Sequence, residues 1–87
     1  MFTTSRYASQ ETRKLAMEMA KGCSERYIAR GKKTVEDLAG FARRNGESAI
    51  NIIEEKQGKP ASIAVISVDE LGRWRWGEER LLNSTGE

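Results

Sequence analysis

Hydrophobic and polar positions along this chain divide it into seven short segments. Apolar residues at helical spacing predict two helices, one capped by Ser9 and ending at Gly22, the other capped by Thr34 and ending near Asn45. Shorter apolar or alternating runs predict five strands, at 1–5, 24–30, 49–53, 62–68 and 73–76. The predicted order is β-α-β-α-β-β-β, an α/β fold in which both helices cover one face of a mixed sheet.

Local signals add detail to three of these segments. Thr34 and Asp37 have the spacing of a capping box, in which each side chain accepts a hydrogen bond from the other residue's backbone. The isoleucine-rich run at 49–53 is apolar on both faces and predicts a central strand, followed by a turn over 54–60. Cys23 continues the apolar stripe of the first helix, so we expect an inert core residue.

The composition excludes several classes of protein. The chain has 87 residues, one cysteine and no histidine, so a Ser/His/Asp or Cys/His nucleophile pair cannot form within it. A single cysteine also excludes an intramolecular disulfide and a zinc finger. We therefore predict one small non-enzymatic domain over residues 1–82 with a frayed tail at 83–87, and no metal, cofactor or small-molecule substrate.

Charge is unevenly distributed along the chain. The net charge is only +2, yet residues 1–46 carry ten Lys and Arg against five Asp and Glu. Such a basic half favours an anionic partner. No window has the ~18 consecutive apolar residues of a membrane span, and no signal-peptide pattern is present. We therefore expect a cytoplasmic protein that does not contact membranes.

A basic turn precedes the second predicted helix. Arg30, Lys32 and Lys33 flank Gly31, which lets the backbone approach a phosphate, and the helix N-terminus adds N–H donors. Short basic turns are also common as solvated connections into a capped helix. The turn is therefore either a phosphate contact or a plain connection.

Hydroxyl and guanidinium groups are concentrated between the first strand and the first helix. Thr4, Ser5, Arg6, Ser9 and Arg13 carry side chains suited to hydrogen bonding with phosphate and sugar oxygens. Serine and threonine are equally preferred at helix caps without any ligand. The segment is therefore either a nucleic-acid contact or a strand end followed by an N-cap.

The last predicted strand carries two tryptophans. Trp74 and Trp76 alternate with Arg73 and Arg75, which places both rings on one face. Aromatic and guanidinium planes are suited to stacking unpaired RNA bases. Large aromatic side chains also serve in core packing or in a contact between subunits. The two tryptophans therefore either stack RNA bases or serve in core packing or a dimer contact.

Four short motifs, taken together, resemble a known family. They are Thr3-Thr4-Ser5-Arg6, Ser9-x-x-Thr12-Arg13-x-Leu15, Arg30-Gly31-Lys32-Lys33-Thr34 and Gly58-x-Pro60-x-Ser62. In order and spacing, over residues 1–68, they resemble the N-terminal half of a Brix domain in its short archaeal form. The resemblance implies an intracellular factor for ribosome biogenesis that binds ribosomal RNA or its precursor. It also implies a fold similar to the anticodon-binding domains of class II aminoacyl-tRNA synthetases.

The resemblance also implies roles for individual residues. By position, it implies that phosphate contacts are made by Arg6, Arg13, Arg30, Lys32 and Lys33, with hydrogen-bonding support from Thr4, Ser5 and Ser9. A Brix domain has two similar halves, and this chain resembles one. We therefore expect a homodimer or a second half-domain chain as a partner, with contact through the sheet edge near Trp74 and Trp76. The alternative function is accordingly that of a protein-interaction or dimerisation module.

Overall fold

Residues 1–82, which the computed structural model describes, form two helices and four strands. The elements are β1 (Phe2–Thr4), α1 (Gln10–Gly22), α2 (Val35–Arg44), β2 (Ala49–Lys56), β3 (Lys59–Val68) and β4 (Trp74–Leu81). The strands form one mixed sheet in the order β1-β2-β3-β4, in which only the β1–β2 pair is parallel. The predicted α/β class is confirmed. The predicted tail at 83–87 lies outside the described residues.

Both helices begin at the predicted capping residues. Ser9 Oγ accepts a hydrogen bond from the Thr12 backbone N–H. Thr34 and Asp37 form a complete capping box, with N–O distances of 3.0 and 3.1 Å. Within residues 1–82, neither helix is long and apolar enough to cross a membrane. The two caps fix the ends of the loops that border the site described below.

The helices pack on opposite faces of the sheet, and the prediction that they share one face is wrong. Ala16 of α1 belongs to the core cluster that contains Ile53 of β2, whereas Leu38 of α2 belongs to the cluster that contains Ile52. Successive side chains of a strand point to opposite faces, so these two clusters lie on the two sides of the sheet. β2 therefore has apolar residues buried on both faces, as predicted for a central strand.

The predicted strand at 24–30 is also wrong. The segment makes a single isolated parallel bridge, between Tyr27 and Phe2. Its neighbour β1 is only three residues long, and Ser24 has a φ of 55°, so the backbone is not extended over the whole segment. Cys23 is the C-cap residue of α1 and is exposed, which corrects the expectation of a core cysteine.

The strands on the C-terminal side are longer than predicted. Gln57 and Gly58 have φ values of 55° and 77°, the pattern of a two-residue type I′ turn. Residues 54–60 are therefore mostly strand, since β2 continues to Lys56 and β3 begins at Lys59. β4 continues to Leu81 and forms one edge of the sheet, with β1 at the other.

Candidate nucleic-acid interface

A cavity of about 370 Å³ lies between the end of β1, the first turns of α1 and the loop that joins the two helices. We call it the basic groove. Its lining consists of Thr4, Ser5, Tyr7, Ala8, Arg13, Ala29, Arg30, Gly31 and Lys32. Five of the eight residues predicted to contact RNA are among them. The fold thus brings together candidates that three separate segments supply.

The lining of the basic groove includes three cations and no carboxylate. A second cavity of about 510 Å³ adjoins it, shares Arg13 and Ala29, and adds Lys14 to the same surface. Within residues 1–82, no carboxylate lies within 4.0 Å of the charged groups of Arg6, Arg13, Lys14 or Lys32. This surface therefore presents positive charge that no carboxylate of residues 1–82 pairs.

The cavity beside α2, by contrast, has carboxylates in its lining. There, Arg43 and Arg44 share the lining with Glu47, Asp69 and Glu70. Carboxylates next to arginines partly cancel the field that an anion would experience. The basic groove is therefore better suited to binding a polyanion than the cavity beside α2.

Arg30 lies inside the wall of the basic groove. Its side chain is buried, with Nη1 donating to the Thr4 carbonyl at 2.9 Å and Nε donating to the Lys33 carbonyl at 2.7 Å. Burial lowers the pKa of Arg30 from its ordinary value; the charge of Arg6 lowers it further, and Glu54 raises it. Arg30 therefore ties the end of β1 to the turn before α2, while its charge still contributes to the field.

Three other predicted contact residues use their polar groups within the protein. Thr4 is buried and its Oγ1 donates to the next carbonyl at 3.0 Å. Ser9 caps α1 and its Oγ donates to the Gly58 carbonyl at 3.0 Å. Lys33 Nζ donates to a backbone carbonyl four residues earlier, at 3.1 Å. These residues shape the loops. Among the predicted cations, the exposed side chains of Arg6, Arg13 and Lys32 make no hydrogen bond or ion pair with residues 1–82.

A carboxylate fixes the start of α1 against the sheet. Glu55 of β2 accepts hydrogen bonds from the Ser9 N–H at 2.7 Å and from Thr12 Oγ1 at 2.6 Å. These hydrogen bonds lower the pKa of Glu55. Because Arg13 follows Thr12 directly, these hydrogen bonds also fix the position of the Arg13 backbone beside the groove.

The two tryptophans lie away from the basic groove. They are on β4, the sheet edge opposite β1, and share one face as predicted, with ring centroids 6.2 Å apart and planes at 90°. Trp74 packs against the core cluster of α2, whereas Trp76 is 53% exposed. The structure therefore does not combine the tryptophans with the predicted phosphate contacts in one site.

Sequence reasoning missed two residues of the basic surface. Tyr7 lines the groove and is 73% exposed, and Lys14 lines the adjoining cavity. Tyr7 is an aromatic residue that directly follows Arg6 in a short strand-to-helix loop, which was an available signal. Lys14 is next to Arg13, but it occupies an unspecified position of the motif Ser9-x-x-Thr12-Arg13-x-Leu15.

The sequence of the chain is similar to those of two archaeal proteins. No family model matches the chain. It is 41% identical over 61 residues to a probable Brix domain-containing ribosomal biogenesis protein of Archaeoglobus fulgidus, covering 70% of this chain and 37% of that protein. It is 35% identical over 72 residues to a probable Brix domain-containing ribosomal biogenesis protein of Methanothermobacter thermautotrophicus, covering 83% and 43%. The chain thus spans about two fifths of the length of these relatives.

Two crystal structures have the same fold. Mil, an archaeal Imp4-like protein, superimposes with a TM-score of 0.69 at 35% identity, covering 85% of this chain and 46% of Mil. A probable ribosomal biogenesis protein from Aeropyrum pernix K1 gives a TM-score of 0.72 at 29% identity, covering 94% and 42%. Sequence and fold agree with the four motifs: the chain belongs to the Brix domain-containing family of ribosomal biogenesis proteins, and spans less than half the length of the members it matches.

Proposed function

We propose that this domain is a non-catalytic module that binds ribosomal RNA or its precursor in the cytoplasm during ribosome biogenesis, and that the basic groove is the contact. One observation carries the proposal: the exposed cations of the groove and its border have no carboxylate partners within residues 1–82. The names of the relatives, which are ribosomal biogenesis proteins, support the setting.

The proposed contacts are to the RNA backbone. Arg6, Arg13 and Lys32 are exposed and contact phosphates, while Ser5 is half-buried at the groove wall and adds a hydrogen bond. Gly31 has a φ of 53°, a backbone conformation that favours glycine, and no atom crowds its Cβ position. The chain can therefore approach a phosphate closely between Arg30 and Lys32. Such contacts position an RNA without reading its sequence.

The dependence of affinity on salt tests this proposal. Each phosphate neutralised on a single strand contributes about −0.7 to the slope of log K against log salt concentration, so the three exposed cations predict a slope of about −2. The Lys32→Ala variant should reduce the slope by about 0.7, to the same extent for RNAs of unrelated sequence. Fluorescence anisotropy with labelled single-stranded fragments of ribosomal RNA measures both quantities.

The matched control is Lys21→Ala, which removes an exposed lysine from the last turn of the same helix that carries Arg13. The proposal predicts that this variant keeps the full slope. It fails if binding does not change between low and moderate salt, or if the Lys21 and Lys32 variants lose affinity equally.

A second candidate function rests on β4. This strand is a sheet edge, and it carries the exposed side chains of Trp76 and Leu81, at 53% and 84% exposure. An edge with exposed apolar groups is suited to pairing with a second copy of the chain or with another half-domain. Sedimentation equilibrium at tens of micromolar, compared with Trp76→Thr, separates the cases: a monomer for both proteins excludes the homodimer.

A further inference from the structure

Tyr7 has an exposed ring in the lining of the basic groove. The side chain is 73% exposed and belongs to neither core cluster. Its φ is 59°, a conformation that bulky residues adopt only rarely. The residue therefore holds an aromatic ring in solvent, at the edge of a cationic cavity, without a packing contribution that would account for it.

Tyr7 lies beside positively charged side chains. The guanidinium carbon of Arg6 lies 5.6 Å from the Tyr7 ring centroid, a cation–π arrangement. The same ring shares the cavity lining with Arg13 and Lys32. A flat aromatic surface and two cations that no carboxylate of residues 1–82 pairs thus occur within one cavity of about 370 Å³.

We propose that the basic groove and Tyr7 together bind one unpaired nucleotide of single-stranded RNA, with its phosphate at Arg13 and Lys32 and its base stacked on the Tyr7 ring. This inference rests on the proposed function and specifies its substrate class. In an RNA duplex the bases are stacked on one another and present no free face, so a stacking ring selects single strands, loops or bulges.

The other exposed aromatic residue does not have this setting. Trp76 is on β4, and the cavity beside Trp74 on the same strand contains Asp69, which pairs with Arg73 at 2.9 Å. A base stacked on Trp76 would therefore have a carboxylate nearby, and of the two arginines in that cavity only Arg75 has no carboxylate within 4.0 Å among residues 1–82, whereas the lining of the groove holds no carboxylate at all. This difference makes Trp76 the matched control for Tyr7.

The test compares two labelled strands of equal length and charge. One is a dodecamer of uridylate, and the other is a dodecamer of abasic ribose phosphate, which keeps the phosphates and lacks the bases. Stacking of one base on an aromatic side chain predicts that the wild-type protein binds the uridylate strand more tightly by a factor of about 5 to 150.

The variants then assign that factor to a residue. Tyr7→Asn removes the ring and keeps a residue type that tolerates positive φ, so it should bring the ratio of the two affinities close to one. Tyr7→Phe should retain the ratio, because the stacking surface remains. Trp76→Thr should also retain it. Circular dichroism of each variant shows whether it is folded.

Each outcome decides one of the two claims. If Tyr7→Asn keeps the wild-type ratio, or if Trp76→Thr removes it, the inference about Tyr7 is overturned. In that case a loss of affinity for both strands in Lys32→Ala still supports the proposed function. If Lys32→Ala weakens binding to neither strand, the proposed function itself fails.

Discussion

Replacement of Arg30 distinguishes a residue that shapes the groove from one that only binds in it. The Arg30 guanidinium joins the Thr4 carbonyl at the end of β1 to the Lys33 carbonyl in the turn before α2. The variant Arg30→Met keeps an apolar stem of similar length and removes every donor. It should therefore destabilise the folded protein, whereas removal of a surface cation should not.

The expected loss follows from the two hydrogen bonds. The hydrogen bond from Arg30 to the Thr4 carbonyl is buried, and a buried carbonyl that loses its donor costs about 1–3 kcal/mol. The Lys33 carbonyl contact is partly buried, so water replaces the donor and the net loss is about 0.5–1.5 kcal/mol. Removal of a buried charge returns part of its desolvation cost. We expect a net decrease of about 2–3 kcal/mol in the free energy of unfolding.

Urea unfolding, followed by tryptophan fluorescence, measures this loss. Trp74 packs against the α2 core cluster and reports on its opening. The neighbouring exposed residue provides the control, since Arg6→Met should change the free energy of unfolding by about 0.5 kcal/mol or less. Equal unfolding midpoints for the Arg30 and Arg6 variants would refute the reasoning that Arg30 holds the groove together.

Three further predictions concern stability under the same assay. Thr3→Val should raise the free energy of unfolding by about 1–2 kcal/mol, because the buried Thr3 hydroxyl has no hydrogen-bond partner within residues 1–82; a lower midpoint would contradict this. Thr34→Ala should lower it by about 1 kcal/mol through loss of the α2 cap, and an unchanged midpoint would argue against the cap. Burial and the adjacent Glu79 raise the pKa of Glu54 above its ordinary 4.5, so the stability linked to its proton is complete below 4.5 and is lost as the pH rises through the raised pKa. Glu79→Gln should therefore stabilise the protein at pH 7 and have little effect at pH 4, and equal effects at both pH values would show that the carboxylates do not interact.

The helices could be predicted because their signals are local. Ser9 and the Thr34–Asp37 pair specify caps through hydrogen bonds that span three residues, and both caps are present in the structure. A strand depends instead on the neighbour it pairs with. The segment at 24–30 has a suitable composition but meets only the three-residue β1, so it forms one bridge and no ladder.

The sequence predicts which residues form much of the candidate site, but not the role of each residue. Residue type and motif spacing selected five residues that line the groove. Burial arises from tertiary packing, so the sequence did not distinguish the buried Arg30 from the exposed Lys32 two residues later in the same turn. For the same reason, the apolar run in β2 did not reveal that each of its faces meets a different helix.

An amide NMR titration of the chain with a single-stranded fragment of ribosomal RNA shows whether the basic groove is the RNA contact. We expect the largest shift changes at Ser5, Arg6, Gly31 and Lys32, while the amide of Trp76 on β4 changes little. Shift changes centred on β4, with none at Gly31 or Lys32, would contradict the claim that the basic groove is the RNA contact.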